Sequence, residues 1–431
     1  MSWRPAAFCT VLLAYMVGPN PKLGGAQIGD AVLVAFGLVY MATSRLRLRV
    51  NLLWLLAWPA LVVAISLAGK VFSGFAVGSD ETNNLLKVSS LGLIGLLGAS
   101  SASGAYRQGN EALLPAMVRV VVVGVLFTSA LGMIQYARPG LYAMLVHGLY
   151  ERPLLINISN LQQAELTGRV TSIFTWANAF GAFLVFGLSV LMVNARVLPR
   201  SVLLLSVGIG VVCLVLTNSR VSLLLLGVAA VYVAMLNRQW KWLLVGAVVA
   251  GVVVAAVPIV DLLGSRNASR FEEVWDFARH GTLPYNVQLR LAVLSYLPQK
   301  LLTSEYVYFG FPMAFYQTSV LLSADNQYLG FLLRYGLVAL LLVVWQLLAT
   351  GIPAVMLRRR PALSTEARRY LHTLVLLNIL VALGGLSQDT LFIERWREFY
   401  FALTGAVLGY VLTAPTERDQ RATVEAEELG V

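Results

Sequence analysis

Arginine and aspartate at a few positions are where this sequence could do chemistry. Arg169 stands in Thr167-Gly168-Arg169-Val170-Thr171-Ser172, Arg220 in Leu216-Thr217-Asn218-Ser219-Arg220-Val221-Ser222, and Arg290 in Val287-Gln288-Leu289-Arg290-Leu291. A guanidinium is a planar fork of donors that matches phosphate bidentately, and near a membrane its field is less diluted by water. Acidic residues available to pair with the three are sparse, which favours an anionic ligand from outside the chain. For any one of them, a snorkelling or salt-bridged arginine is the plainer alternative. Asp325, in Ser323-Ala324-Asp325-Asn326-Gln327-Tyr328, is a carboxylate at the mouth of a long apolar run. It can orient or deprotonate an acceptor hydroxyl or cap the helix that follows, and the two roles are compatible. Metal and nucleotide chemistry lack their parts, since there is no Asp-x-Asp pair, no P-loop and no His-Glu-x-x-His. Fixed arginines can stabilise developing anionic charge where no metal does, and these residues offer no cofactor site.

The elements that must position these residues are membrane spans. Of the 431 residues, 58% are hydrophobic and only 12% charged. A soluble domain carries roughly a quarter charged residues, so apolar solvent is the consistent environment. The formal charge of +11 would suit nucleic acid only if a soluble face carried it, and none does. Cys9 and Cys213 both lie in apolar stretches and read as packing thiols. Apolar runs near 6–20, 26–43, 51–69, 86–103, 113–136, 171–194, 199–216, 220–236, 240–260, 326–350, 368–388 and 396–413 predict about 12 transmembrane helices in a single all-α polytopic domain. The run 86–103, rich in Gly and Ser, is expected to be kinked or short. The first run, although it follows Arg4, lacks a small-x-small cleavage site and reads as an uncleaved helix.

Orientation follows from the loops. With the N-terminus inside, Arg45, Arg47 and Arg49, Arg107, Arg196 and Arg200, Arg238 and Lys241, and Arg358 through Arg369 all fall on the cytoplasmic side, as the positive-inside rule requires. The other side receives the two longest loops, 137–170 and 261–325. Both termini are then cytoplasmic. In the second loop, Phe271, Val274, Trp275 and Ala278 recur at helical spacing opposite a charged face. Such a helix either packs onto the spans or moves as a lid. Arg334 would lie about 14 Å below Asp325 at the helical rise. Glu394, Arg395, Arg397 and Glu398 crowd the last outer loop, where mutual pairing is favoured over an acceptor site. His147 and His280 read as ordinary outer-loop residues.

Three stretches together resemble the O-antigen ligase/polymerase superfamily: RVTSIFTWANAFG at 169–181, TNSRVSLLLL at 217–226, and the long outer loop ending in SADNQYLGFLLRYG at 323–336. The likeness covers roughly 169–346. It implies a glycosyltransferase of the helical C-type fold, with its large periplasmic loop between the ninth and tenth spans, acting on undecaprenyl-diphosphate-linked glycans at a bacterial inner membrane. Arg169, Arg220 and Arg290 would hold diphosphate, Asp325 would serve the acceptor, and Asn178, Asn326 and Tyr328 would support the site. In the ligase branch a histidine usually stands where Asp325 does, so the aspartate fits the Wzy-type polymerases of O-antigen, capsule or exopolysaccharide better. Expected partners are the lipid-linked glycan, membrane lipids, a chain-length regulator and a flippase, with no nucleic acid. A ligase delivering glycan to lipid A–core or protein is the alternative within the family. Outside it, a transporter of lipid-linked sugars would call for repeat symmetry and broken helices at mid-membrane.

Overall fold

The computed structural model describes residues 3–18, 22–23, 26–43, 54–72, 74, 79–107, 112–150, 169–174, 176–238, 279–281, 288, 307–310, 326–357, 363–386 and 395–413. Their regular structure is helical, apart from a two-residue antiparallel pairing of Lys22–Leu23 with Ala26–Gln27. In chain order the α-helices are α1 Trp3–Val17, α2 Ile28–Thr43, α3 Trp54–Phe72, α4 Ser79–Arg107, α5 Leu113–Ala137 and α6 Pro139–Tyr150. After them come α7 Ala177–Val193, α8 Arg200–Leu216, α9 Arg220–Asn237, α10 Gln327–Leu357, α11 Thr365–Gly384 and α12 Trp396–Thr413. Among the described residues, Leu113–Ala137, Arg220–Asn237 and Tyr335–Leu357 are long and apolar enough to cross a membrane. With the shorter apolar helices around them, they mark an integral membrane protein. Every predicted run falls on a helix except 240–260, which lies outside the described residues.

Three local departures from the sequence-based expectation have physical causes. The run 86–103 is neither short nor kinked but part of the 29-residue α4. Its Gly95, Gly98 and Ala99 lie backbone to backbone against Ala402, Gly405 and Gly409 of α12, where a side chain on Gly98 or Gly405 would strike main chain. Small residues at this spacing are how helices approach closely where lipid removes the hydrophobic drive to associate. The predicted span 171–194 becomes helical only at Ala177, because residues 169–174 are taken up by other bonds. Finally, α10 breaks at Gly336, with φ 86° and ψ 179°. The main chain of Tyr308 and Phe309 lies so close there that only a glycine fits, and the Phe309 ring reaches on to Gly69 of α3. Part of the second long loop thus fills the break in α10.

Side-chain contacts set the direction of each helix. Gly132 of α5 faces Phe180 of α7, and Val125 faces Gly187, so the two run antiparallel. Helix α8 runs parallel to α5, with Gly210 on Val125 and Cys213 Sγ donating to the Ser129 carbonyl at 3.3 Å. Helices α10 and α11 are antiparallel, joined by Gln327 N to Gly385 O at 2.8 Å and by Thr350 to Asn378 at 3.1 Å. Tyr232 of α9 meets His372 of α11 at 2.9 Å. One end of the bundle therefore gathers the C-termini of α1, α5, α8 and α11 with the N-termini of α7, α9, α10 and α12. The opposite end holds Arg196, Arg200, Arg238, Arg368 and Arg369.

Candidate functional site

The end that gathers the N-termini of α7, α9, α10 and α12 is organised around a buried glutamine. Gln135, at the end of α5, accepts from the backbone N–H of Thr171 and of Ser172 at 2.8 Å each and donates to Thr171 Oγ1 at 3.0 Å. Ser172 Oγ donates to the Thr128 carbonyl at 2.7 Å, and the Tyr142 hydroxyl donates to the Ser172 carbonyl. These bonds hold Ser172 at φ +50°, a left-handed conformation that serine seldom adopts unaided. They also explain why residues 169–174 are not helical. Their polar groups are satisfied sideways by α5 instead of along a helix axis.

Arg169 leaves this pinned segment and crosses to the turn between α8 and α9. Its Nε donates to the Thr217 carbonyl at 2.9 Å and its Nη2 to Asn178 Oδ1 at 2.6 Å, while Val170 N donates to the Leu216 carbonyl at 3.1 Å. Two sites predicted from sequence, Arg169 and Asn178, are therefore in direct contact. The turn itself carries Asn218 at φ +50°, a strain that asparagine tolerates better than most residues. Ser219 is the N-cap of α9, yet its hydroxyl pairs with Ser222 Oγ at 2.8 Å and makes no cap bond to the helix. The first N–H groups of α9 are left to other acceptors. Gly181 of α7 packs directly on Ser219 and Ser222, with no side chain to hold the helices apart. Arg220, half-buried, is the first residue of α9. Arg169 bonded to Thr217, Arg220 three residues further along the chain, and the positive end of the α9 dipole thus share one stretch of the fold. Such a cluster suits a diphosphate.

A second corner forms where α10 starts beside the end of α11. Asn326 Oδ1 accepts from Leu329 N at 3.0 Å and its Nδ2 donates to the Leu386 carbonyl at 2.8 Å. Capping, offered by the sequence as one of two roles for Asp325, is made here by Asn326, whose short amide serves both the helix and the neighbouring chain. The Tyr328 hydroxyl donates to the Ala382 carbonyl at 2.9 Å. Asn326 and Tyr328 act as fasteners between α10 and α11. Asp325 and Arg290 lie outside the described residues, as do Glu394 and the amphipathic stretch 269–278. Arg334 falls in the helical backbone two residues before the break at Gly336.

The remaining charges at this end divide clearly. Arg397 pairs with Glu398, as expected, both buried. Arg395 instead donates from Nη1 to the carbonyls of Met16 and Gly18, at 2.9 Å each, closing the C-terminus of α1. His280 is exposed. Sequence reasoning passed over Lys70, a buried cation near the end of α3 beside Gly69. Its signal was a lone lysine inside an apolar run. Gln135 was missed because its partners are some 36 positions away in sequence. Among the described residues, no three His, Cys, Asp or Glu side chains gather as a metal site would need.

Comparison with known families places α8 to the middle of α10 in a named group. Residues 201–344 match the Wzy_C family, described as O-antigen ligase. The match includes the turn bearing Arg220 and the start of α10, while Arg169 and Asn178 precede it. No curated protein matches the chain.

Proposed function

We propose that this chain, which carries the O-antigen ligase family domain across residues 201–344, is a metal-independent glycosyltransferase that polymerises lipid-linked oligosaccharide repeat units. The observation that carries the reading is the bridge from Arg169 to Asn178 and Thr217, which fixes one guanidinium beside the turn that presents Arg220. The donor is a growing glycan on undecaprenyl diphosphate. Arg169, Arg220 and the N-terminus of α9, joined by Arg290, hold its diphosphate. As the bond from the anomeric carbon to the phosphate oxygen breaks, these groups take up the charge developing on the leaving group. Asp325 orients the acceptor hydroxyl of the next lipid-linked repeat and receives its proton as the new glycosidic bond forms. Asn178, Asn326 and Tyr328 keep the supporting helices in register.

The end that bears Arg169, Arg220 and Asn326 is the outer, periplasmic face of the inner membrane in this reading, and both termini are cytoplasmic. Single cysteines at Ser304 and Ala362 test that orientation. An impermeant thiol reagent applied to intact spheroplasts should label Ser304→Cys and not Ala362→Cys, and the reverse pattern would invert every assignment. A flippase and a chain-length regulator are the natural partners. Ligation to lipid A–core or protein is the competing reading, since the matched family is described by that activity. Asp325→Asn separates the two. In a polymerase it leaves the protein inserted and cells accumulate single lipid-linked repeats. Long carrier-linked polymer that is never attached to lipid A–core or protein would instead identify a ligase.

A further inference from the structure

Away from the arginines, the interior where α10, α11 and α12 meet is polar. Gln346 and Thr350 on α10, Asn378 on α11, and Tyr400 and Thr404 on α12 are all buried, Asn378 being the most exposed at 6%. The Tyr400 hydroxyl donates to Asn378 Oδ1, and Thr350 Oγ1 lies 3.1 Å from the same oxygen. Thr350 has a single proton, and its hydroxyl also sits 2.8 Å from the Gln346 carbonyl one turn back. Among the described residues Asn378 Nδ2 and Gln346 Nε2 have no acceptor, and Thr404 Oγ1 faces the Tyr400 hydroxyl without accepting a hydrogen bond. Turning the Asn378 amide over only exchanges which of its two polar atoms is left unmatched.

Two features of α10 add to this. Pro353 lies inside the helix and has no N–H for the carbonyl of Ala349, in the same turn as Thr350. Membrane helices tolerate proline where a neighbouring group or a water takes up the freed carbonyl. Gly351, for its part, leaves room beside the unmatched amide. A Cβ added there would meet nothing nearer than Asn378 Nδ2, at 3.8 Å.

We propose that ordered water is bound in this niche, accepting from Asn378 Nδ2 and Gln346 Nε2 and donating to the Ala349 carbonyl and Thr404 Oγ1. Water has two lone pairs and two protons, which matches two donors and two acceptors. An anion would be repelled by the carbonyl, and a cation would face two amide donors. The bound water ties together three helices, two of which begin at the end that bears Asn326 and Arg395.

Radiolytic hydroxyl footprinting of the intact protein in lipid nanodiscs tests this, because radicals formed from bound water label the side chains beside it. Tyr400 is 1% exposed, so without internal water it should be as protected as fully buried Phe183. Bound water predicts that Tyr400 is labelled at a rate approaching that of exposed Tyr308. Gly351→Ala puts a methyl group in the niche and should lower Tyr400 labelling to the level of Phe183, with elution and helix content unchanged. Protection of wild-type Tyr400 equal to that of Phe183 overturns the proposal, and that comparison needs no variant. A folded Gly351→Ala protein that keeps wild-type Tyr400 labelling overturns it as well.

Discussion

Arg395 and Arg220 stand at the same end of the bundle, Arg395 just before α12 and Arg220 as the first residue of α9. The buried Arg395 guanidinium lies on the C-terminal carbonyls of α1, where helix geometry already places partial negative charge. Its neighbour Arg397 meets a carboxylate, that of Glu398. Arg220 occupies the first turn of α9, where the dipole is positive and disfavours a cation. Arg169 joins it through the same turn, held by a carbonyl and an amide oxygen. One pair of arginines is stabilised by what the fold supplies. In the proposed function the other pair meets an anion at the positive end of α9. Arg395 and Arg397 also stand at a helix N-terminus, that of α12, so the two pairs differ in the partners they meet and not in their position along a dipole.

The contrast can be broken by mutation. Arg220→Lys keeps the charge and loses the fork, so polymerisation should fall by about 10²–10³-fold while membrane abundance stays normal. A lysine variant with near wild-type activity would mean that Arg220 serves as bulk charge. Arg395→Gln should show the opposite pattern. It removes the partner of the α1 carbonyls, at about 1–3 kcal/mol for each group left unmatched, so melting temperature and abundance should drop. Activity per folded molecule should persist, and a specific loss of turnover would remove the distinction between the two arginines. The smallest effect is expected at Asn326→Ala, which deletes the cap of α10 and should cost about 1 kcal/mol, read as a modest shift in thermal unfolding. No shift at all would mean that the bond to Leu329 contributes nothing net.

How far these features could be read in advance depended on how local their causes are. Runs 113–136, 199–216, 220–236 and 396–413 match α5, α8, α9 and α12 closely, because long apolar stretches bounded by Pro, Arg or Asn set their own limits. Arg169, Arg220 and Asn178 could be picked out as chemical groups, and spacing alone said nothing of the bond between Arg169 and Asn178. Residues 171–176 read as span because their composition is that of a helix, while Gln135, distant in sequence, decides otherwise. The break at Gly336 is imposed by Tyr308 and Phe309 in the same way. Helix α6, Pro139–Tyr150, stands at the start of the predicted loop 137–170, and the proline in its first turn loses no bond there.

Direct binding of undecaprenyl diphosphate tests the account most closely. Native mass spectrometry on wild-type, Arg220→Lys, Arg169→Lys and Arg395→Gln proteins at equal lipid concentration reads occupancy without needing turnover. The account predicts a lipid-diphosphate adduct on wild-type and on folded Arg395→Gln protein, and its loss from both the Arg220→Lys and Arg169→Lys proteins. Equal adduct on all four would contradict it, since the two guanidiniums at the start of α9 would then not be what holds the diphosphate.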